Sequence, residues 1–205
     1  MNIVVFSLKG GVGKTSIALT YALETGYPVV TNEIESSLGE VLPEEQFMEI
    51  GFDEDFPQLE EGTKVIYDLG GFLDHRIVDL LKSPKTVVLV PWVEGTINEQ
   101  RFHKTIDLLS DYTDNILCIA NRVKIDKLGR SEKVTELRAK VPHMVLPLVN
   151  SKGFENIFND GLSPHQQVKE LAAKGDKSSR LRAHSFRSVI ENFDNLMEVV
   201  EKWKV

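Results

Sequence analysis

The chain has 205 residues, of which 41% are apolar and 27% are charged, and its formal net charge is −7. This composition is typical of a soluble globular protein that buries a core. No apolar run approaches the roughly 18 residues of a spanning helix, and the apolar start is too short for a signal peptide. A single cysteine, Cys118, offers no disulfide framework. We therefore expect one cytoplasmic domain over residues 1–205, with no membrane partner.

Strand and helix patterns alternate along the chain. Continuous apolar runs rich in Val and Ile predict strands buried on both faces of a parallel sheet. These runs lie at 2–7, 27–31, 64–69, 86–91, 115–121 and 143–149. Helical spacing predicts helices at 14–25, 73–81, 96–111 and 131–140, and an apolar stripe predicts a terminal helix over about 181–202. We expect an α/β fold: a doubly wound, mostly parallel sheet with helices on both faces.

A glycine-rich loop follows the first strand and opens the first helix. It consists of Lys9, Gly10, Gly11, Val12, Gly13, Lys14 and Thr15, followed by Ser16. Glycines let successive backbone N–H groups surround phosphate oxygens, and the helix N-terminus favours anions. In this Walker A context, Lys14 would neutralise the β and γ phosphates and the Thr15 hydroxyl would ligate Mg²⁺. A turn that only caps a helix would leave the paired lysines unexplained.

A second element points to the same chemistry. The apolar run that ends at Asp68 is followed by Gly70 and Gly71, as in a Walker B strand. Asp68 would then hold Mg²⁺, commonly through water. A turn-forming aspartate is the alternative when this strand is considered alone.

The loop reads Lys-Gly-Gly-Val-Gly-Lys-Thr rather than the usual Walker A pattern, and it begins with a lysine, Lys9. With this lysine the sequence resembles the deviant Walker A ATPases of the ParA/MinD group, and more closely the small ParA-type plasmid partition ATPases. The resemblance implies a P-loop NTPase domain, ATP and Mg²⁺ as ligands, and slow, partner-stimulated hydrolysis. It also implies a nucleotide-dependent homodimer in which Lys9 reaches the partner's phosphates. A solvated lysine at a turn is the alternative for Lys9.

The end of the second strand departs from the family pattern D-x-D-P-Q. Thr31 stands at the first aspartate and Glu33 at the second, which in the family helps to position the attacking water. Glu33 keeps a carboxylate that can still orient water, because hydrogen-bond reach decides that role. We therefore expect Lys9, Lys14, Glu33 and Asp68 to be the catalytic set. A solvated Glu33, and a scaffold with little or no hydrolysis, are the alternatives.

The later strands are candidates for base recognition. Asn121 and Arg122 close one strand, and Pro147, Leu148, Val149 and Asn150 close the next. Ligands bind at the carboxyl ends of strands in open α/β sheets, and the resemblance implies that these ends border adenine. Neither segment has the Asn-Lys-x-Asp signature of guanine binding. Its absence favours ATP over GTP. Turn-forming asparagines are the alternative.

Charge is unevenly distributed. Residues 1–63 hold two basic and twelve acidic residues, a net charge of −10, whereas residues 64–205 carry +3. Six cations cluster near the C-terminal end: Lys169, Lys174, Lys177, Arg180, Arg182 and Arg187. Such a cluster can contact phosphates of any duplex without reading bases. A solubilising surface is the alternative.

Together these features predict an ATP-dependent dimerising switch for DNA partition. The resemblance implies nonspecific DNA binding through the basic cluster and a small centromere-binding, ParB-like partner that supplies specificity. The alternative is a ParA-like positioning ATPase for a protein cargo or a conjugation apparatus. Acidic residues flank the terminal stripe, so we expect it to pack on the core rather than enter lipid.

Overall fold

The computed structural model describes residues 1–51, 53–57, 60, 62–126 and 128–203, apart from the side chain at 155. Seven strands form one parallel sheet in the order β3-β2-β4-β1-β5-β6-β7. They are β1 (Asn2–Phe6), β2 (Val29–Thr31), β3 (Phe47–Glu49), β4 (Val65–Leu69), β5 (Thr86–Trp92), β6 (Ile116–Val123) and β7 (Met144–Val149). Because every pair is parallel, all carboxyl ends meet at one edge of the sheet, which we call the carboxyl edge.

Within the described residues, eight α-helices lie between and after the strands. They are α1 (Lys14–Thr25), α2 (His75–Lys82), α3 (Thr96–Ser110), α4 (Glu132–Arg138), α5 (Lys152–Asp160), α6 (Pro164–Lys174), α7 (Lys177–Ser185) and α8 (Arg187–Glu201). The pleat of β1 sends Val4 to one face, where α2, α3 and α4 pack, and Val5 to the other, where α1, α5 and α8 pack. Each face has its own apolar core, so the predicted doubly wound fold is confirmed.

Several elements differ from the sequence prediction. The edge strand β3 lies in a segment, 44–61, for which the sequence predicted no element, because the strand has three residues and only half-buried or exposed side chains. The helices α5 and α6 were also missed, although Ser163 and Gln166 form a capping box at the start of α6. The predicted terminal helix is divided at Phe186 into α7 and α8.

The terminal stripe and the cysteine both lie in the core. Phe193, Leu196 and Val200 of α8 are buried against the face that also holds α1, which confirms core packing for this stripe. Cys118 is fully buried in β6, and burial raises the pKa of its thiol to about 12. No helix among the described residues has the length and apolar character needed to span a membrane.

Candidate functional site: the carboxyl edge of the sheet

The glycine-rich loop connects β1 to α1 at the carboxyl edge. Gly11 and Gly13 have φ angles of 75° and 95°, in the left-handed region that glycine tolerates. No side chain caps α1, and its first turn carries no acidic residue. A Cβ atom built on Gly10 or Gly11 would meet no atom within 4 Å. The first N–H groups of α1 and an open glycine surface therefore face a space suited to an anion.

Lys14 is held inside this site rather than extended into solvent. Its side chain is 7% exposed, and its Nζ lies 3.2 Å from Oε1 of Glu33. Because an ammonium group is costly to bury unpaired, Glu33 compensates its charge while no anion is present. The structure thus brings two of the four predicted catalytic side chains into direct contact.

Asp68 lies at the end of β4 and is fully buried. Burial raises the pKa of its carboxyl to about 6; the Thr15 hydroxyl and the Lys14 charge oppose this shift, and the charge of Glu33 adds to it. Neither carboxylate oxygen makes a hydrogen bond of standard geometry within the described residues. A buried carboxylate without such partners is costly, so its presence here calls for a ligand.

The turn after β2 aims Glu33 at the site. Thr31 is fully buried, and its hydroxyl donates to the Asp68 carbonyl at 2.8 Å and accepts from the Glu33 N–H at 3.1 Å. The next residue, Asn32, accepts the Gly70 N–H at 2.7 Å. The Thr31 hydroxyl therefore fixes the backbone of Glu33 against the end of β4.

Asn121 connects β6 to the glycine-rich loop. Its Nδ2 donates to the Val12 carbonyl at 2.8 Å, and its Oδ1 accepts the Arg122 N–H at 2.9 Å. Arg122 has a φ of 58°, which is uncommon for a residue with a side chain. The pairing of β6 with β7 shifts register at the same point.

A cavity of about 280 Å³ lies beside the loop. Of the residues predicted for the base, Asn121, Arg122 and Val149 line it. Pro147 and Leu148 do not: Leu148 is buried in the core on the α1 face, and Pro147 faces α4 residues in a separate depression. The strand pleat sends Leu148 to the core, and Pro147 lies two residues before the end of β7, so only the last residue of the strand reaches the cavity.

Other lining residues were not expected from the sequence. They are Ile17, Ser151, Phe154 and Phe158; the predicted loop residues Gly13 and Ser16, and Asn150 directly after β7, complete the lining. The two phenylalanines lie on α5, which had no predicted element. The Ser151 cap of α5, followed by aromatic residues four apart, was the available signal.

Lys9 lies at the rim of the same edge. Its backbone N–H donates to the Ser7 hydroxyl at 3.2 Å. Within the part of the chain that the structure describes, its half-buried side chain makes no ion pair. The lysine side chain is thus available to an anion near the loop.

The basic cluster lies on α6, α7 and the start of α8. All six of its cations are exposed: Lys169, Lys174, Lys177, Arg180, Arg182 and Arg187. Arg187 pairs with Glu191 at 2.7 Å. None of the six lines the cavity beside the glycine-rich loop. We call the pair α6 and α7, which pack together around Gly175, the basic hairpin.

The chain was compared with known proteins. No family model and no curated protein matches its sequence. Apo McdA from Cyanothece matches in structure with a TM-score of 0.59 and 14% identity, over 92% of this chain and 98% of that one. A Cyanothece McdA variant in complex with ATP matches with a TM-score of 0.57 and 15% identity, over 100% of this chain and 97% of that one. The septum site-determining protein MinD from Pyrococcus horikoshii, in complex with Mg-ADP, matches with a TM-score of 0.53 and 15% identity, over 98% of this chain and 99% of that one.

McdA and MinD are deviant Walker A ATPases of the ParA/MinD type. The similarity covers nearly the full length of this chain and of each solved structure, while identity stays at 14–15%. The chain therefore has the fold of the ParA/MinD-type P-loop ATPases, in agreement with the resemblance noted from its Walker A loop.

Proposed function

We propose that the chain binds ATP at the glycine-rich loop and uses it as a switch. The observation that carries this proposal is the uncapped start of α1, where Lys14 is buried at 7% exposure beside an open glycine surface. Phosphate oxygens there would accept hydrogen bonds from the free N–H groups and form an ion pair with Lys14. The adjacent cavity, with Phe154 and Phe158 in its wall, suits a planar base. Nucleotide complexes of solved proteins with this fold support the proposal.

The residues near Asp68 fit a magnesium ion. Carboxylate and hydroxyl oxygens are the donors that Mg²⁺ prefers, and Asp68 has buried oxygens without standard partners close to Thr15. We propose that Thr15 and Asp68 hold the ion, Asp68 through water. When bound, Mg²⁺ neutralises charge on the phosphate oxygens.

We propose that Glu33 orients the attacking water for slow hydrolysis. Its carboxylate is 3.2 Å from Lys14 Nζ, so a phosphate held by Lys14 lies within reach of Glu33. The Thr31 hydroxyl fixes the Glu33 backbone. Once phosphate shares Lys14, the Glu33 carboxylate is free to accept a hydrogen bond from water. This geometry favours hydrolysis over the scaffold that the missing aspartates suggested.

We propose that ATP drives formation of a homodimer across the carboxyl edge. Lys9 at the rim has no ion-pair partner within the described chain, which fits a role on the phosphates of a second copy. Exposed apolar side chains surround the same edge. They are Ile34 after β2 (72% exposed), Phe72 after β4 (49%) and Ile97 at the start of α3 (68%). A second copy would cover them.

We propose DNA partition as the process that the switch serves. The exposed cations of the basic hairpin support nonspecific contacts with DNA phosphates, and a dimer carries the hairpin twice. A small ParB-like protein would then provide sequence recognition. Positioning of a protein cargo is the second candidate, favoured by the similarity to MinD, whose name describes it as septum site-determining.

The test of ATP binding is a calorimetric titration with ATP and Mg²⁺. Lys14→Ala removes a charge-assisted contact in a buried site, and we expect affinity to fall about a hundredfold. Lys133→Ala is the control, because Lys133 is also ion-paired but lies on α4. Equal affinity in wild type and Lys14→Ala would contradict the proposed site. If ATP-bound wild type fails to retain DNA at low salt, the protein-cargo candidate replaces partition.

A further inference from the structure

Asn121, near the end of β6, contacts the glycine-rich loop. The residue is 8% exposed, and its Nδ2–H donates to the Val12 carbonyl, 109 positions away in sequence, at 2.8 Å. The amide also fills the space above Gly13. A Cβ built on Gly13 would lie 2.4 Å from Asn121 Nδ2, which is closer than real Cβ atoms approach. The close packing of the amide on the loop thus depends on glycine at position 13.

The orientation of this amide is fixed by its own strand. Asn121 Oδ1 accepts the Arg122 N–H at 2.9 Å, so both ends of the amide are engaged. Arg122 adopts a left-handed conformation, and the sheet register shifts between positions 121 and 123. Strained residues of this kind persist where the surroundings hold them. The distortion at the end of β6 therefore lies directly beside the amide that contacts Val12.

The same residue lines the cavity proposed for the base. One face of Asn121 thus borders the base cavity while its donor holds the loop that cradles phosphate. We propose that Asn121 is a positioning residue that fixes the phosphate loop from the base side. This inference rests on the proposed ATP site and deepens it: Asn121 contributes to the affinity for the triphosphate itself, in addition to any contact with the base.

The test compares a ligand that has a base with one that has none. Wild type and Asn121→Ala are titrated with ATP and with inorganic tripolyphosphate, both with Mg²⁺. Loss of the buried hydrogen bond to Val12 should lower the affinity for both ligands by the same factor, about tenfold. Asn115→Ala is the matched control, because Asn115 precedes the opposite end of β6. Its affinities for both ligands should equal those of wild type.

Hydrogen exchange separates positioning of the loop from general destabilisation. In the nucleotide-free Asn121→Ala variant, the amides of residues 12–16 should exchange faster, while those in the centre of β6 keep wild-type rates. If Asn121→Ala lowers the affinity for ATP but leaves the affinity for tripolyphosphate unchanged, Asn121 is only a base contact and the inference is overturned. The same conclusion follows if wild type binds ATP but not tripolyphosphate. Failure of wild type to bind either ligand would instead contradict the proposed ATP site.

Discussion

The carboxyl edge and the basic hairpin both present cations, but the fold treats them differently. At the carboxyl edge Lys14 is buried, is paired with Glu33 and lies near the buried Asp68. In the hairpin, Lys177 and Arg180 are exposed to solvent. Burying a charge costs several kcal/mol unless a partner compensates it, whereas an exposed charge costs almost nothing. Buried charges therefore identify a ligand site more sharply than a surface cluster of the same sign.

The largest effect is expected from Asp68→Asn at the carboxyl edge. The amide keeps the shape of the side chain but removes the charge that the proposed Mg²⁺ site needs, so affinity for ATP with Mg²⁺ should fall about a hundredfold. Without nucleotide the variant should be more stable by about 1–2 kcal/mol, because the buried unpaired charge is gone. Calorimetric titration and urea unfolding measure the two effects.

Asp79→Asn is the control for this prediction, because Asp79 is exposed on α2. It should change neither ATP affinity nor stability beyond about 0.5 kcal/mol. Loss of stability in Asp68→Asn would mean that the carboxylate is satisfied by the fold itself.

The next effect tests the hairpin. Reversing Lys177 and Arg180 to Glu should weaken duplex DNA binding by ATP-bound protein roughly thirtyfold while ATP affinity stays unchanged. Two lost phosphate contacts should also reduce the slope of log K against log salt by about 1.8. Fluorescence anisotropy at several salt concentrations measures both quantities.

The matched control reverses Arg101 and Lys104, two exposed cations on α3, which changes net charge by the same amount. If both double variants weaken DNA binding equally, net charge and not the hairpin decides the affinity.

A smaller effect, on the rate of ATP turnover, is expected at the carboxyl edge from Glu33→Gln. We expect ATP turnover to slow about tenfold while ATP still binds, because the amide orients water less well than the carboxylate. Phosphate release under saturating ATP measures it. Glu35→Gln, two residues further along and exposed, should turn over at the wild-type rate. If Glu33→Gln turns over ATP at the wild-type rate, a group other than Glu33 orients the attacking water.

The smallest effect concerns the framework of the hairpin. Ser163 Oγ accepts the Gln166 N–H at 3.2 Å at the start of α6. Ser163→Ala should lower the free energy of unfolding by about 1 kcal/mol through loss of this cap, with ATP affinity unchanged. Ser178→Ala, exposed on α7, should have no comparable effect in the same urea titration. A fall in ATP affinity in Ser163→Ala would show that the two regions are coupled.

The parts of the fold that the sequence predicted are those with strong local patterns. The apolar run of β1 and the glycines before α1 specify strand, loop and helix without help from distant residues. β3 has no such pattern, because Phe47–Glu49 is short and lies at the sheet edge, where only pairing with β2 defines it. α5 and α6 begin with capping residues, Ser151 and Ser163, which apolar periodicity alone does not reveal.

The same division holds for the site. Motif spacing placed Lys14, Thr15 and Asp68 near one another because the carboxyl ends of parallel strands converge. The bond from Asn121 to Val12 joins residues 109 positions apart and leaves no local signal. Pro147 and Leu148 were assigned to the base because a strand end was treated as a unit, whereas the pleat sends successive side chains in different directions.

The most direct test of the central claim, an ATP-driven dimer across the carboxyl edge, is sedimentation velocity with and without ATP and Mg²⁺. Wild type should sediment as a monomer without nucleotide and as a dimer with ATP. Lys9→Ala should remain a monomer in both conditions, because in the proposed dimer Lys9 acts on the phosphates of the second copy. A wild-type protein whose mass is the same with and without ATP, or a dimer that Lys9→Ala leaves intact, would contradict the account.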